Sequence, residues 1–477
     1  MEKGTNSKAK SAIIWNISGS FLRQVVILAI SIILARLLNP VEFGIIGMSM
    51  VFIAISEVFI DVGFTSGIIQ QKETNDITLS SVFYTNMIIS VILSILLFFS
   101  APYIAIFYDE PRVANILMLL TIIPPIAALG KVQAAILTKN LDFKSLTIRN
   151  FLATLCGGIL GVIAAFSDYG VYSLVIQQIT MVTVATVALW YATGWRPKFE
   201  YSFDEIKKLL NFSSYVFFDA LLRQIFLKID TLFVGKVFSP TVLGFYSRGE
   251  SLKTQIQVYT TNSISKVIFP VLSQLQDNDE EFNKTYFKVF NIATGTVVTL
   301  IGPIYFLSYH IIIFLFGQKW EPSVIIFQIL LLSILTGPQG AVMSQGILAK
   351  GQSKLRFKLG LVQRLLKLTP ILLGLYFGII LFTWGMVIAS LLVVLLFFGV
   401  YQYYYKVSFL TQIKNLFIPN LIFIVFIVID SFYTDLNDIV LACSFLFIHI
   451  VYLIILKHES YLFVRGIIYK YLKKKNS

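Results

Sequence analysis

The stretch LARLLNPVEFG at 34–44 returns in kind as VGKVFSPTVLG at 234–244. Each copy closes an apolar run and carries one cation, Arg36 or Lys236. Each then turns at a proline, Pro40 or Pro240, and opens the next run with a glycine, Gly44 or Gly244. Proline sets the start of a helix and glycine marks a close approach or turn. Just upstream, Leu22, Arg23 and Gln24 fall in register with Leu222, Arg223 and Gln224. A second pair agrees: AILTKN (135–140) resembles GILAKG (346–351), and a basic loop follows each. The next run then carries Gly157-x-x-x-Gly161 or Gly374-x-x-x-Gly378, and both motifs are read as ordinary close helix packing. A repeat in one orientation predicts two six-helix bundles around a shared central cavity, an arrangement of transporters. The expected boundaries are 1–195, 196–405 and, for two added helices with a basic tail, 406–477.

The runs themselves define the class. Of 477 residues, 57% are hydrophobic and 13% charged, against about 45–50% and about 25% in soluble domains. The apolar residues come in about 14 blocks of roughly 20, the length that crosses ~30 Å of hydrocarbon. They include 12–36, 41–62, 211–236, 241–270, 357–380, 383–405 and 437–456. Backbone groups in lipid must bond within their own segment, so each block is expected to be a helix. The fold class is an all-α polytopic membrane protein of about 14 transmembrane helices. The first block lacks a cleavage site and is read as a retained span.

Orientation follows from charge. Lys and Arg crowd the N-terminus, every second loop and the tail. The alternate loops hold only Arg36, Arg112, Lys236 and Lys319, together with the acids Glu42, Asp109, Glu110, Asp168, Glu321, Asp435 and Asp438. The positive-inside bias then puts both termini in the cytoplasm. This distribution, with a formal net charge of +13, is topological and predicts no nucleic-acid partner. Two isolated cysteines, Cys156 and Cys443, and three scattered histidines make no metal cluster. No P-loop or dinucleotide fingerprint is present, so no cofactor is expected.

Several cations remain inside the blocks: Arg23, Lys131, Arg223, Lys228, Arg248, Lys253, Lys266, Arg364 and Lys367. They outnumber the acids at similar depth, Glu57, Asp61, Asp219, Asp230 and Glu250. A charge facing lipid at mid-membrane costs at least roughly 2.5–3.5 kcal/mol, so these residues should face the protein interior or a wet cavity. Guanidinium forks suit phosphate oxygens. In block 241–270, Arg248, Gln255, Tyr259, Asn262 and Lys266 fall on one line at 100° per residue. That line reads as a polar stripe along much of the membrane. The candidate substrate-binding residues are therefore Arg23, Arg223, Arg248, Gln255, Asn262 and Lys266. Glu57, Asp61 and Asp230 are candidates for ion coupling. The structural alternatives are that Arg223 pairs with Asp219 or Asp230, and that Lys131, Lys228 and Lys253 snorkel or pair with acids.

LARLLNPVEFGIIGMSMVF (34–52), FIDVGFTSGIIQ (59–70), IDTLFVGKVFSPTVLGFYSRGESL (229–252), FPVLSQLQD (269–277) and FGQKWEPSV (316–324) occur in this order. Together they resemble the polysaccharide-exporter branch of the MOP (multidrug/oligosaccharidyl-lipid/polysaccharide) superfamily, nearest its colanic-acid and teichuronic-acid exporters. The resemblance implies 12 or 14 helices in two bundles. It also implies flipping of an undecaprenyl-pyrophosphate-linked oligosaccharide across the bacterial inner membrane, beside polysaccharide polymerase machinery. Arg23, Arg223 and Arg248 would fill the family's cationic cavity positions. Two other readings stay open. One is a cation/drug antiporter of the same superfamily, which would want an acidic cavity. The other is a membrane glycosyltransferase or polymerase, suggested by Asp277-Asn278-Asp279 in a cytoplasmic linker.

Overall fold

A computed structural model describes residues 2–71, 74–433 and 437–466. Of these, the side chains of 2–18, 211–213, 215, 259 and 262–267 lie outside the description. The described residues are helical with no strand. Two compact units divide the chain between Ser247 and Arg248.

The first unit holds α1 (Glu2–Leu37), α2 (Pro40–Asp61), α3 (Phe64–Gln70), α4 (Asp76–Tyr108), α5 (Arg112–Leu120), α6 (Ile123–Lys139), α7 (Phe143–Phe166), α8 (Val171–Thr193) and α9 (Phe203–Val237). Helix starts follow local chemistry. Pro40 opens α2, and the Asn39 backbone N–H donates to Glu42 Oε2 at 2.6 Å. Asp142 caps α7 by accepting from the Ser145 N–H at 3.1 Å. Helix α7 packs on α1 and α8, α6 on α8 and α4, and α2 on α9. The α7–α8 seam is the Gly157-x-x-x-Gly161 motif: a Cβ at either glycine would press on Gln177 or Met181 of α8. The motif is close packing, as expected.

The two Pro–Gly turns lie against each other. A side chain on Gly44 would collide with the backbone of Pro240, and one on Gly244 with the backbone of Pro40. The similarity of 34–44 and 234–244 is thus matched by a reciprocal contact.

The second unit begins within α10 (Pro240–Gln257), which runs into a π turn, Val258–Asn262, and then α11 (Ser263–Ser273). There follow α12 (Asp279–Phe306), α13 (Ser308–Phe316), α14 (Ser323–Ile334), α15 (Gly337–Ala349), α16 (Ser353–Leu366), α17 (Thr369–Tyr405), α18 (Phe409–Phe432) and α19 (Asp438–Ile455). Helix α12 packs on α15, α18 and α19. Its core is aromatic: Tyr286 stacks on Tyr401 at 4.7 Å, with Phe290, Phe397 and Phe398 around them. The Tyr401 hydroxyl donates to the Met343 carbonyl at 2.8 Å, and Tyr286 bonds Gln412 at 3.1 Å. In hydrocarbon, where apolar burial gives little drive, such packing and polar satisfaction hold helices together.

Eleven segments among the described residues are long and apolar enough to cross a membrane. This is a multi-pass membrane protein. Helix α9 and the α10–α11 stretch are not among the eleven; both carry several of the charges listed above. Blocks 357–380 and 383–405 fall within one stretch, Ser353–Tyr405, of 53 residues. As a straight helix it would run about 80 Å, far more than the bilayer. It is interrupted at Lys367 and Leu368, between α16 and α17, and again at Gly378, whose φ of 87° sits deep in glycine's territory. Nothing lies within 4 Å of a Cβ built there. The packing role expected for Gly374-x-x-x-Gly378 is therefore corrected at Gly378, a point where the chain bends, while Gly374 is buried.

Candidate functional site

Arg23 sits half-buried on α1. Its Nε donates to Thr154 Oγ1 of α7 at 3.3 Å, and Thr154 in turn donates to the Asn150 carbonyl at 2.8 Å. The two helices close up because Gly19 of α1 faces Thr147 and Gly158 of α7 faces Ile30, each with room for hydrogen alone. Arg149, one turn from Thr154, is within electrostatic reach of Arg23. Its Nε and Nη2 are held by Asn150 Oδ1 at 3.0 and 2.6 Å. No carboxylate pairs with either arginine among the described residues. Two like charges on adjoining helices, fixed only by neutral hydrogen bonds, leave their remaining donors suited to an oxyanion.

Arg149 was missed in the sequence because it counted toward a basic loop. The loop is short and α7 begins at Phe143, so Arg149 stands on its second turn. The available signal was Asp142, whose capping chemistry moves the helix start ahead of the arginine.

On α9, Arg223 is exposed. Lys228 lies within electrostatic reach of Glu57 on α2. Asp61, at the end of α2, accepts from the Thr65 N–H at 2.9 Å and the Thr65 hydroxyl at 2.6 Å. It thereby satisfies a free donor in the first turn of α3. The structure gives Glu57 a cationic neighbour and Asp61 a capping role. Asp230 is half-buried on α9.

In the second unit, Arg248 lies over the ring of Trp320 at 5.8 Å, and Trp320 is fully buried. The ring comes from FGQKWEPSV, where Gly317 turns the chain at φ 94°, so this motif supplies a cation–π platform. Lys253 pairs with Glu250 at 3.3 Å, the structural role weighed for it. Gln255 is half-buried on α10. The side chains of Tyr259, Asn262 and Lys266 lie outside those described.

The backbone alters the stripe. A π turn holds one residue more than an α turn, so the intervening Val258–Asn262 turn rotates the register beyond it by about 100°. The line through 248 and 255 does not continue to 266 as an uninterrupted α-helix would carry it.

The Asp277-Asn278-Asp279 triplet also has structural roles. Asn278 caps α12 by accepting from the Glu281 N–H at 3.1 Å, and Asp279 pairs with Lys350 at 2.6 Å. Among the described residues no three His, Cys, Asp or Glu side chains gather as a metal site.

In an all-helical bundle of long apolar segments, arginines inside the segments are expected to face the protein interior or a wet cavity. The chain shares its fold with the lipid II flippase MurJ in an inward closed conformation: TM-score 0.74, 17% identity, 96% of this chain and 100% of that one. It also resembles an inward-facing multidrug resistance MATE family transporter of the MOP superfamily, with TM-score 0.61, 15% identity, 83% of this chain and 99% of that one. The protein thus has the MOP fold. Residues 33–325, more than half the chain, match the polysaccharide biosynthesis protein family, and the chain belongs to that family. Teichuronic acid biosynthesis protein TuaB of Bacillus subtilis (strain 168) is 26% identical over 310 residues. That match spans 63% of this chain and 63% of TuaB. Lipopolysaccharide biosynthesis protein WzxC of Escherichia coli (strain K12) is 21% identical over 344 residues, 72% of this chain and 70% of WzxC.

Proposed function

We propose that the protein flips an undecaprenyl-pyrophosphate-linked saccharide unit across the bacterial inner membrane for surface polysaccharide assembly, by alternating access. It works in this reading as a carrier and not as an enzyme, with both termini cytoplasmic. The observation that carries the reading is the Arg23–Arg149 pair, two guanidinium groups in an apolar bundle with no carboxylate partner among the described residues. Membership of a polysaccharide biosynthesis family, and relatives named for teichuronic acid and lipopolysaccharide biosynthesis, support the substrate class. The likeness to a lipid II flippase supports the fold such a task uses.

In this mechanism Arg23 of α1 and Arg149 of α7 hold the diphosphate, and Arg223 and Arg248 are further arginines to test for substrate binding. Gln255, Asn262 and Lys266 are further candidates for binding the headgroup, and the polyprenyl tail stays in lipid. Residues 1–195 and 196–405 act as the repeated halves, and 406–477 is an addition. Glu57, Asp61 and Asp230 are the residues to test for ion coupling. A polymerase on the far side consumes the flipped unit. The fold is shared with drug transporters and does not itself discriminate, but the cationic surplus inside the spans disfavours a cationic drug.

Deleting the gene tests the reading. Accumulation of a lipid-linked oligosaccharide with loss of the surface polymer is expected. Unchanged polymer with no accumulated lipid-linked unit would overturn the flippase function.

A further inference from the structure

At one end of α8 the first unit carries an open cavity of about 420 Å³, lined by Leu129, Thr186, Val187, Trp190, Tyr191 and Arg196. That volume lies in the range of small-ligand sites. Its polar groups are turned away or satisfied. Thr186 Oγ1 donates to the Ile126 carbonyl at 2.9 Å, and Trp190 Nε1 to the Leu129 carbonyl at 2.8 Å. The walls therefore offer hydrocarbon and ring faces. Two wall residues lie on the outer face of α8, with Val187 48% and Tyr191 84% exposed. In a membrane span, an exposed apolar face of that kind meets lipid.

Arg196 stands at the mouth, exposed, with its guanidinium over the Trp190 ring at 5.1 Å. One edge is occupied: Nη1 donates to the carbonyls of Trp190 at 2.9 Å and Trp195 at 2.8 Å. Nε and Nη2 donate to nothing among the described residues. They form the fork that takes two oxygens of a phosphate. The neighbouring Lys198 does not compete, since it is engaged by Asp76 at 2.7 Å. Trp190, Trp195 and Tyr191 mark the headgroup level, where amphipathic rings collect.

We propose that this cavity is a binding site for an anionic phospholipid, separate from the transport arginines. One acyl chain lies between α6 and α8, and the phosphodiester sits on the free edge of Arg196. Basic pockets between transmembrane helices bind anionic headgroups by this combination of hydrocarbon wall and guanidinium.

The test is native mass spectrometry of the full-length protein. The protein is taken from mild detergent into nanodiscs of phosphatidylglycerol and phosphatidylethanolamine, and lipid-bound fractions are compared. The expected result is retention of phosphatidylglycerol over phosphatidylethanolamine, with the bound fraction falling about tenfold in Arg196→Gln, as loss of a charge-assisted hydrogen bond implies. Arg196 also holds the Trp190 carbonyl in the last turn of α8, so Val187→Trp, which fills the cavity and leaves that bond alone, is the second variant. It is expected to lower occupancy comparably. Equal retention of both lipids, or unchanged occupancy in both variants, would overturn the site. Displacement of phosphatidylglycerol by equimolar undecaprenyl phosphate would overturn the choice of occupant and assign the cavity to the polyprenyl lipid.

Discussion

Arg23 and Arg149 repel each other across the α1–α7 seam, and Thr154 and Asn150 hold them without neutralising either. A diphosphate would relieve that repulsion, so the pair should matter more to substrate than to folding. Arg23→Ala and Arg149→Gln are each expected to weaken headgroup binding by about ten- to a hundredfold, the loss of one charge-assisted interaction. The measurements are surface polymer in a complemented deletion strain and the detergent-solubilised monomer peak. Arg23→Lys should keep partial export, because the charge stays and the fork is lost. Normal export from both Arg23→Ala and Arg149→Gln would remove this pair from the mechanism.

A second residue-scale effect belongs to His458, beyond the end of α19. Its Nδ1 and the Ser460 hydroxyl share a hydrogen bond at 2.8 Å, and burial holds the imidazole below its ordinary value of 6.5. The unfolded chain therefore takes up a proton that the folded protein resists. Stability from this group is complete above pH 6.5 and declines as pH falls toward the depressed folded value. Thermal unfolding between pH 8 and pH 5 should show the decline, and His458→Gln should make it shallower.

At the scale of elements, the informative helix is the one that departs from its sequence pattern. Periodicity assumes 100° per residue from end to end. The π turn Val258–Asn262 breaks that assumption, and no side-chain type announces such a turn in advance, so the stripe through 248, 255 and 266 was legible only in its first part. Single-turn π insertions collect at functional sites. Deleting Val258 should convert the turn to α and rotate Lys266 by about 100° relative to Arg248. The expected outcome is loss of export with the protein still in the membrane at near-normal level. Retained export would show that the interrupted register is incidental.

Other elements were readable for definite reasons. The apolar blocks are set by bilayer thickness, a constraint strong enough to be seen in composition. The Pro-turn-Gly copies were visible because backbone geometry admits few residues there. Arg149 was hidden because a cation near a helix start counts equally well as loop. Gly378 was hidden because a glycine that bends a chain and one that packs a seam look alike in sequence; only its φ of 87° separates them.

For the whole molecule, charge asymmetry is the topological statement. The loop between α8 and α9 carries Arg196 and Lys198, while the turn between α4 and α5 carries Asp109 and Glu110. Glu110 is held below the usual carboxylate range by hydrogen bonds from Arg112. Reporters fused after Gly194 should therefore read cytoplasmic, and reporters fused at Asp109 should read external. The opposite pattern would invert the orientation on which the proposed direction of flipping rests.

The crossed turns carry one more consequence. Gly44 is received by the main chain of Pro240, and Gly244 by the main chain of Pro40. A clash with a side chain can be repaired by trimming that side chain; a clash with a carbonyl cannot. In suppressor genetics, a methyl group introduced at either glycine should have no local second-site revertant. The lesion should yield only to true reversion, and each copy of the motif limits how far the other can drift.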